Sequence, residues 1–140
     1  MRRSAAGLLL LSALAAALAA CAPDKVPKVE SNVYPADYKL EIIDTLKQAV
    51  FEKNDTIKIT NAFVSEPALQ QIGTEQHYVS CVRYTSHGAE YNLIGTATRK
   101  AYFYGGHINQ LVQVTEDECA KAAYKPFLEL DQVCLGKGCQ

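Results

Sequence analysis

The 140-residue chain has no tryptophan, one methionine and three histidines. It also lacks the short motifs that usually announce chemistry. There is no Gly-x-Ser-x-Gly elbow, no phosphate-cradling glycine loop and no His-Glu-x-x-His pair, so three common hydrolase and nucleotide-binding designs are unsupported. No run or stripe of Lys and Arg occurs, and nucleic-acid binding, which needs many phosphate-neutralising cations, is excluded on that ground. The longest apolar run, Ala5 to Leu18, has about 14 residues where a bilayer-spanning helix needs roughly 20. A permanent transmembrane helix is therefore disfavoured.

That run does have the layout of an export signal. Arg2 and Arg3 give a positive start, the apolar stretch follows, and small residues lead up to Cys21. Leu18-Ala19-Ala20-Cys21 resembles the lipobox of bacterial lipoproteins. The resemblance implies that the Cys21 sulfur carries a diacylglycerol, that cleavage falls just before Cys21, and that membrane lipid is the first partner through the acylated cysteine. Two or three acyl chains hold firmly, since each buried CH₂ contributes about 0.8 kcal/mol. The competing reading is an ordinary signal whose Cys21 enters a disulfide. Ala22 stands where the family's inner-membrane retention signal places Asp, which points to the outer membrane, facing the periplasm. Residues 1–20 are thus read as signal, 21–33 as a lipidated tether containing Pro23 and Pro27, and 34–140 as one domain. Two of the 14 Lys and Arg lie in the signal, so the mature chain carries 12 bases against 15 acids, a net charge of −3.

Five cysteines are odd in number for an exported protein. With Cys21 set aside, Cys81, Cys119, Cys134 and Cys139 remain, an even set that reads as two disulfides in an oxidising compartment. Three pairings are possible, and Cys81–Cys119 with Cys134–Cys139 is favoured. Cys134-Leu-Gly-Lys-Gly-Cys139 closes easily on its two glycines, and the other pair would tie a strand to a helix. A four-cysteine zinc site is the alternative. It usually takes ligand pairs two to four residues apart at both ends, and only one close pair exists here.

Hydrophobic periodicity predicts an amphipathic helix over 36–52, opened by Tyr34-Pro35, with Leu40, Ile43, Leu46 and Val50 as its stripe and Ile42 and Ala49 widening it. Ile57, Ile59 and Ala62 to Val64 read as a strand broken by Glu66-Pro67, and 68–75 as irregular chain or a short helical turn. His77 to Tyr84 is the clearest strand, with Tyr78, Ser80, Val82 and Tyr84 on one face and Val79, Cys81 and Arg83 on the other. A strand beginning at Tyr91 to Ile94 continues through Ala97 to Tyr104. Gly105-Gly106 then marks a hairpin turn into Ile108–Val114. Thr115-Glu116-Asp117-Glu118 matches a capping box before a short helix over 116–124, stopped by Pro126. Phe127 and Leu130 pin the tail to the core. The expected architecture is α+β: an antiparallel sheet of about four strands with one amphipathic helix packed on a face, a short C-terminal helix and disulfide staples.

Little in this layout suggests catalysis. His77, His87 and His107 sit at strand edges or turns, without a second ligand at local spacing. Glu116, Asp117 and Glu118 are explained by a helix start, although weak calcium binding is an alternative. No catalytic residue, metal or cofactor is assigned, and the chain is read as a non-enzyme. Tyr102 and Tyr104 share one face of their strand beside the glycine turn. If Phe103 faces the core, they stand outward as a candidate partner-binding patch, tyrosine offering apolar area with a polar tip.

The whole precursor resembles small uncharacterised lipoproteins of alphaproteobacteria at Tyr34-Pro35-Ala36-Asp37-Tyr38, at Tyr78-Val79-Ser80-Cys81-Val82-Arg83-Tyr84 and at Ala122-Ala123-Tyr124-Lys125-Pro126-Phe127. That resemblance implies no activity. The expected function is a membrane-anchored envelope lipoprotein that binds or helps assemble another envelope protein. The alternative is a periplasmic inhibitor of a host enzyme such as lysozyme: Ser86-His87-Gly88-Ala89-Glu90-Tyr91 resembles the Ser-Gly-x-x-Tyr loop of membrane-bound lysozyme inhibitors. His87 interrupts the Ser-Gly pair, and a leading helix departs from their all-β barrel. A small hydrolase using His77, Glu90 and His107 is a third reading.

Overall fold

The structure, a computed structural model, describes residue 30 and residues 32–53, 56–88 and 94–139. The signal at 1–20, Cys21 and most of the tether fall outside these residues, as do the two arginines and the lipobox.

The chain folds as α1 (Tyr38–Glu52), β1 (Thr56–Ser65), β2 (Ala68–Ile72), β3 (Glu75–Gly88), β4 (Ile94–Tyr104), β5 (His107–Val114), a one-turn 3₁₀ helix (Glu116–Cys119), β6 (Tyr124–Pro126) and β7 (Cys134–Gly136). All seven strands join one sheet in the order β5-β4-β3-β1-β6, with β2 also on β3 and β7 also on β1. Every pairing is antiparallel. The antiparallel sheet, the packed helix and the disulfides follow the expectation. The strand count does not: seven replace about four, and the fold is mainly β rather than α+β.

The extra strands have a common cause. β1 and β2 run in the same direction along successive halves of β3 and together form one arm of a long hairpin. Glu66-Pro67 interrupts that arm without ending it. β2 is exposed at all five residues, so it has no buried face to betray it and is held by its ladder to β3. β6 and β7 are three-residue segments laid on the other edge of β1. They are placed by what lies between them, since Phe127 and Leu130 are fully buried and the Phe127 amide donates to the Ala62 carbonyl at 2.8 Å.

Two glycine turns set the register. Gly105 and Gly106 have φ of 59° and 84° between Tyr104 and His107, the positive pair that a type I′ hairpin demands. Gly73, at φ 61°, joins Ile72 to Glu75, and only the first of its two loop residues is positive, as in type II′. In β1 the register with β3 shifts between Thr60 and Phe63, where Asn61 takes φ 52°. This is a bulge whose left-handed residue is Asn, one of the few side chains that tolerate that region.

The core lies between α1 and one face of the sheet. Ile42, Ile43, Leu46 and Val50 of α1 meet Ile59, Ala62, Val64, Val82, Tyr84, Ala101, Phe103 and, from the tail, Phe127, Leu130 and Leu135. Leu40, expected in the helix stripe, is instead 60% exposed. It falls in the first turn, on the side of the helix that the sheet does not reach. Glu41 locks the helix to the β4–β5 hairpin, accepting from the Ile108 amide at 2.6 Å and pairing with His107 Nδ1 at 2.8 Å.

The expected helix over 116–124 shrinks to a 3₁₀ turn over Glu116–Cys119. Glu118 reaches back as the motif implied, its carboxylate accepting from the Thr115 amide at 3.0 Å and the Thr115 hydroxyl at 3.3 Å. Cys119 is tied to Cys81 on the strand below, with Cα atoms 6.0 Å apart, and Tyr124 must then pair with Ser65. That leaves too few residues to continue a helix between the two constraints. The second disulfide joins Cys134 to Cys139.

Where β1 leaves β3, two buried serines stand in for the missing ladder. The Ser80 hydroxyl donates to the Ser65 carbonyl at 2.6 Å, and the Ser65 hydroxyl accepts from the Cys81 amide at 2.9 Å. Removing either partner strands a buried backbone group, which costs about 1–3 kcal/mol. Ser65→Ala is expected to destabilise by that amount in urea unfolding. A cost near zero would mean that the junction rearranges freely.

Candidate partner-binding face

In β4 the alternation resolves as the pattern suggested. Ala101 and Phe103 are buried in the core, so Tyr102 and Tyr104 lie on the opposite face of the sheet. Tyr102 is half-buried, opposite Val79 of β3 and Gln110 of β5. Tyr104 is 38% exposed. Its ring lies 5.6 Å from that of His77, whose Nδ1 is 3.3 Å from the Phe103 carbonyl and whose Nε2 is 3.6 Å from Glu75. The two tyrosines share a face, but only Tyr104 stands well out of it.

The neighbourhood holds more than those two rings. Tyr34 packs edge-on against Tyr78, with centroids 5.2 Å apart. Leu69 is paired with Tyr78. Val33 touches the β4–β5 turn so closely that a Cβ on Gly106 would lie 3.0 Å from it. The expected tether therefore joins the domain by Val33. Among the described residues the exposed large apolar side chains are Val33, Tyr34, Leu40, Leu69, Ile72, Tyr104 and Leu128. Five of these, all but Leu40 and Leu128, sit at the end of the sheet made by the β2–β3 and β4–β5 turns, where residues 33–34 enter; Ile72 shares the outer face with Tyr104, while Leu69 and Tyr34 lie with Tyr78 on the helix-side face.

Beside β2 a groove of about 430 Å³ runs between Ser65–Ala68 and the returning segment Lys121–Ala123, with the Cys81–Cys119 disulfide at its wall. Glu66 and Lys125 bridge its rim at 2.6 Å. This hydrogen-bonded pairing lowers the Glu66 carboxyl's pKa and raises that of the Lys125 ammonium. Further along the same outer face the Arg83 guanidinium is held 5.4 Å from the Phe63 ring and 4.9 Å from the Tyr124 ring. Burial raises the Tyr124 phenol's pKa, against the opposing pull of Arg83.

The histidines do not come together. His87 pairs with the Thr60 hydroxyl at 2.9 Å, His77 lies by Tyr104, and His107 is bound to Glu41. Among the described residues no three His, Cys, Asp or Glu side chains gather as a metal site requires. Of the segment likened to a lysozyme-inhibitor loop, Ser86, His87 and Gly88 are the last residues of β3, and Ala89, Glu90 and Tyr91 lie outside the described residues. No described helix is long and apolar enough to cross a membrane.

Sequence reasoning missed β2, its groove and the ring-clamped Arg83. A signal for the last existed: Arg83 stands two residues beyond Cys81 on the outer face, and Tyr124 follows five residues after Cys119, so the favoured disulfide already brought the two neighbourhoods together. β2 offered no such signal. Comparison with known proteins finds no matching family model, no matching curated protein and no matching solved structure.

Proposed function

We propose that the chain is a lipoprotein of the bacterial envelope, anchored through acylated Cys21: its domain is a non-enzymatic binding or assembly module, held at the outer membrane and facing the periplasm. The observation that carries the binding role is the gathering of Val33, Tyr34, Leu69, Ile72 and Tyr104 at one end of the sheet. Exposed apolar side chains gathered at one sheet end mark contact sites, and tyrosine is favoured there; Ile72 and Tyr104 supply the face that Tyr102 shares, and Leu69 and Tyr34 the helix-side face. The anchor rests on Leu18-Ala19-Ala20-Cys21. The two disulfides agree with an oxidising compartment.

Cys21→Ser is expected to move the protein from the membrane fraction to the soluble fraction. Retention in the membrane would refute the lipid anchor. In the intact envelope, chemical crosslinking of the anchored protein is expected to capture a partner whose yield falls when Tyr102 and Tyr104 are both changed to Ala in a chain of unaltered melting temperature. Capture unaffected by that double change would remove the tyrosine face from the reading.

A further inference from the structure

Among the described residues the outer edge of β2 is an exposed pairing surface. β3 occupies one side of it and no described strand occupies the other. Natural edge strands are usually guarded by Lys, Pro, a bulge or a covering element. At the opposite edge of the sheet, on β5, one amide is taken up, that of Ile108 by Glu41 of α1. β6 and β7 are three residues long. β2 reads Ala68-Leu69-Gln70-Gln71-Ile72, with no charge and no proline, in unbroken register with β3 and exposed throughout.

The direction of its free groups follows from the hairpin. A two-residue turn closes on a hydrogen-bonded pair, here Ile72 and Glu75. Bonded pairs then alternate along an antiparallel ladder, so Ile72, Gln70 and Ala68 spend their backbone groups on β3. Leu69 and Gln71 point theirs outward. An antiparallel strand that bonds Leu69 and Gln71 can be β2 of another molecule in one symmetric register: Leu69 opposite Gln71, Gln71 opposite Leu69, Gln70 opposite Gln70, and Ala68 opposite Ile72. No like charges meet, every outward amide and carbonyl is used, and Ile72 covers Ala68. The turn of the second copy, Gly73-Thr74, arrives at the Pro67–Ala68 end, within the groove walled by Lys121–Ala123, where a small turn is needed.

We infer that β2 pairs with β2 of a second copy of this chain, antiparallel and centred on Gln70, joining two sheets across a twofold axis. The pairing requires only the folded domain and stands whether or not Cys21 carries lipid.

The centre of the register is a non-hydrogen-bonded pair, where Cα atoms lie about 4.5 Å apart, within the range a disulfide spans. The full chain carrying Gln70→Cys, produced in the bacterial envelope, is expected to run as a disulfide-linked dimer on a non-reducing gel. Leu69→Cys alone and Gln71→Cys alone are expected to stay monomeric, while the two expressed together crosslink to each other. Leu69→Pro removes an outward amide and leaves the β3 ladder intact. Added to Gln70→Cys, it is expected to cut the dimer about tenfold, the change in association that about 1.4 kcal/mol produces. Equal crosslinking at all three positions, no crosslinking at Gln70→Cys, or capture there of a different protein instead of a second copy would each overturn the inference.

Discussion

Removing the Cys81–Cys119 disulfide, by Cys81→Ala and Cys119→Ala together, is expected to cost about 4 kcal/mol of stability. The bridge spans 38 residues, and loop-closure entropy of the unfolded chain rises with that length. Both cysteines are buried, and Ala in place of each leaves no stranded thiol or hydroxyl. The expected thermal midpoint falls by roughly 15–25 °C for a domain of this size. Cys134–Cys139 spans five residues, and its loss should cost about 2 kcal/mol on the same reasoning. Circular dichroism melts of the two double variants test the ordering. Equal losses would show that chain entropy does not govern these bridges.

Phe127→Ala is expected to be comparably damaging, at about 3–5 kcal/mol, the usual result of hollowing a large aromatic site. The ring is fully buried in the main cluster, the Lys39 ammonium sits 5.7 Å from its centroid, and its own amide holds the tail to β1. Its neighbour Leu128 is 75% exposed and supplies the control: Leu128→Ala should change stability by less than about 0.5 kcal/mol. Urea titration of the pair measures the contrast. A mild Phe127→Ala would mean that the tail is an accessory to the fold rather than part of its core.

What could be read ahead of the structure divides along a physical line. α1 and β4 bury their large apolar side chains on one face, and burial of one face is what writes a period into a sequence; the inward aim of Phe103 was legible for that reason. β3 was legible by its β-branched and aromatic residues instead, since Val79 to Val82 are buried on both faces. The Gly105-Gly106 turn was legible because its backbone excludes most other residues. β2 escaped because it buries nothing, and β6 and β7 because three residues are too few to show alternation. The 116–124 helix failed differently: its local start signal was real, but the disulfide at Cys119 and the pairing at Tyr124 overrode it. Leu40 obeyed the helical spacing and still faced outward, since spacing names a stripe without saying where the sheet ends beneath it. In the candidate site, Tyr102 and Tyr104 were found by alternation alone. Tyr34, Leu69 and Val33 reach the same sheet end only through contacts distant in sequence, with Tyr78 and Gly106.

β7 has a further consequence for how the molecule comes into being. Leu135, almost at the end of the chain, is buried beneath the first helix, and its strand pairs with residues some eighty positions earlier. Such distant closures are slow to form and cannot form early. While the ribosome is still making this protein, α1 has no finished floor to settle on. The floor beneath α1 is complete only once Leu135 has closed against it, so a chain whose residues 134–136 are kept from β1 leaves part of the α1 apolar stripe uncovered.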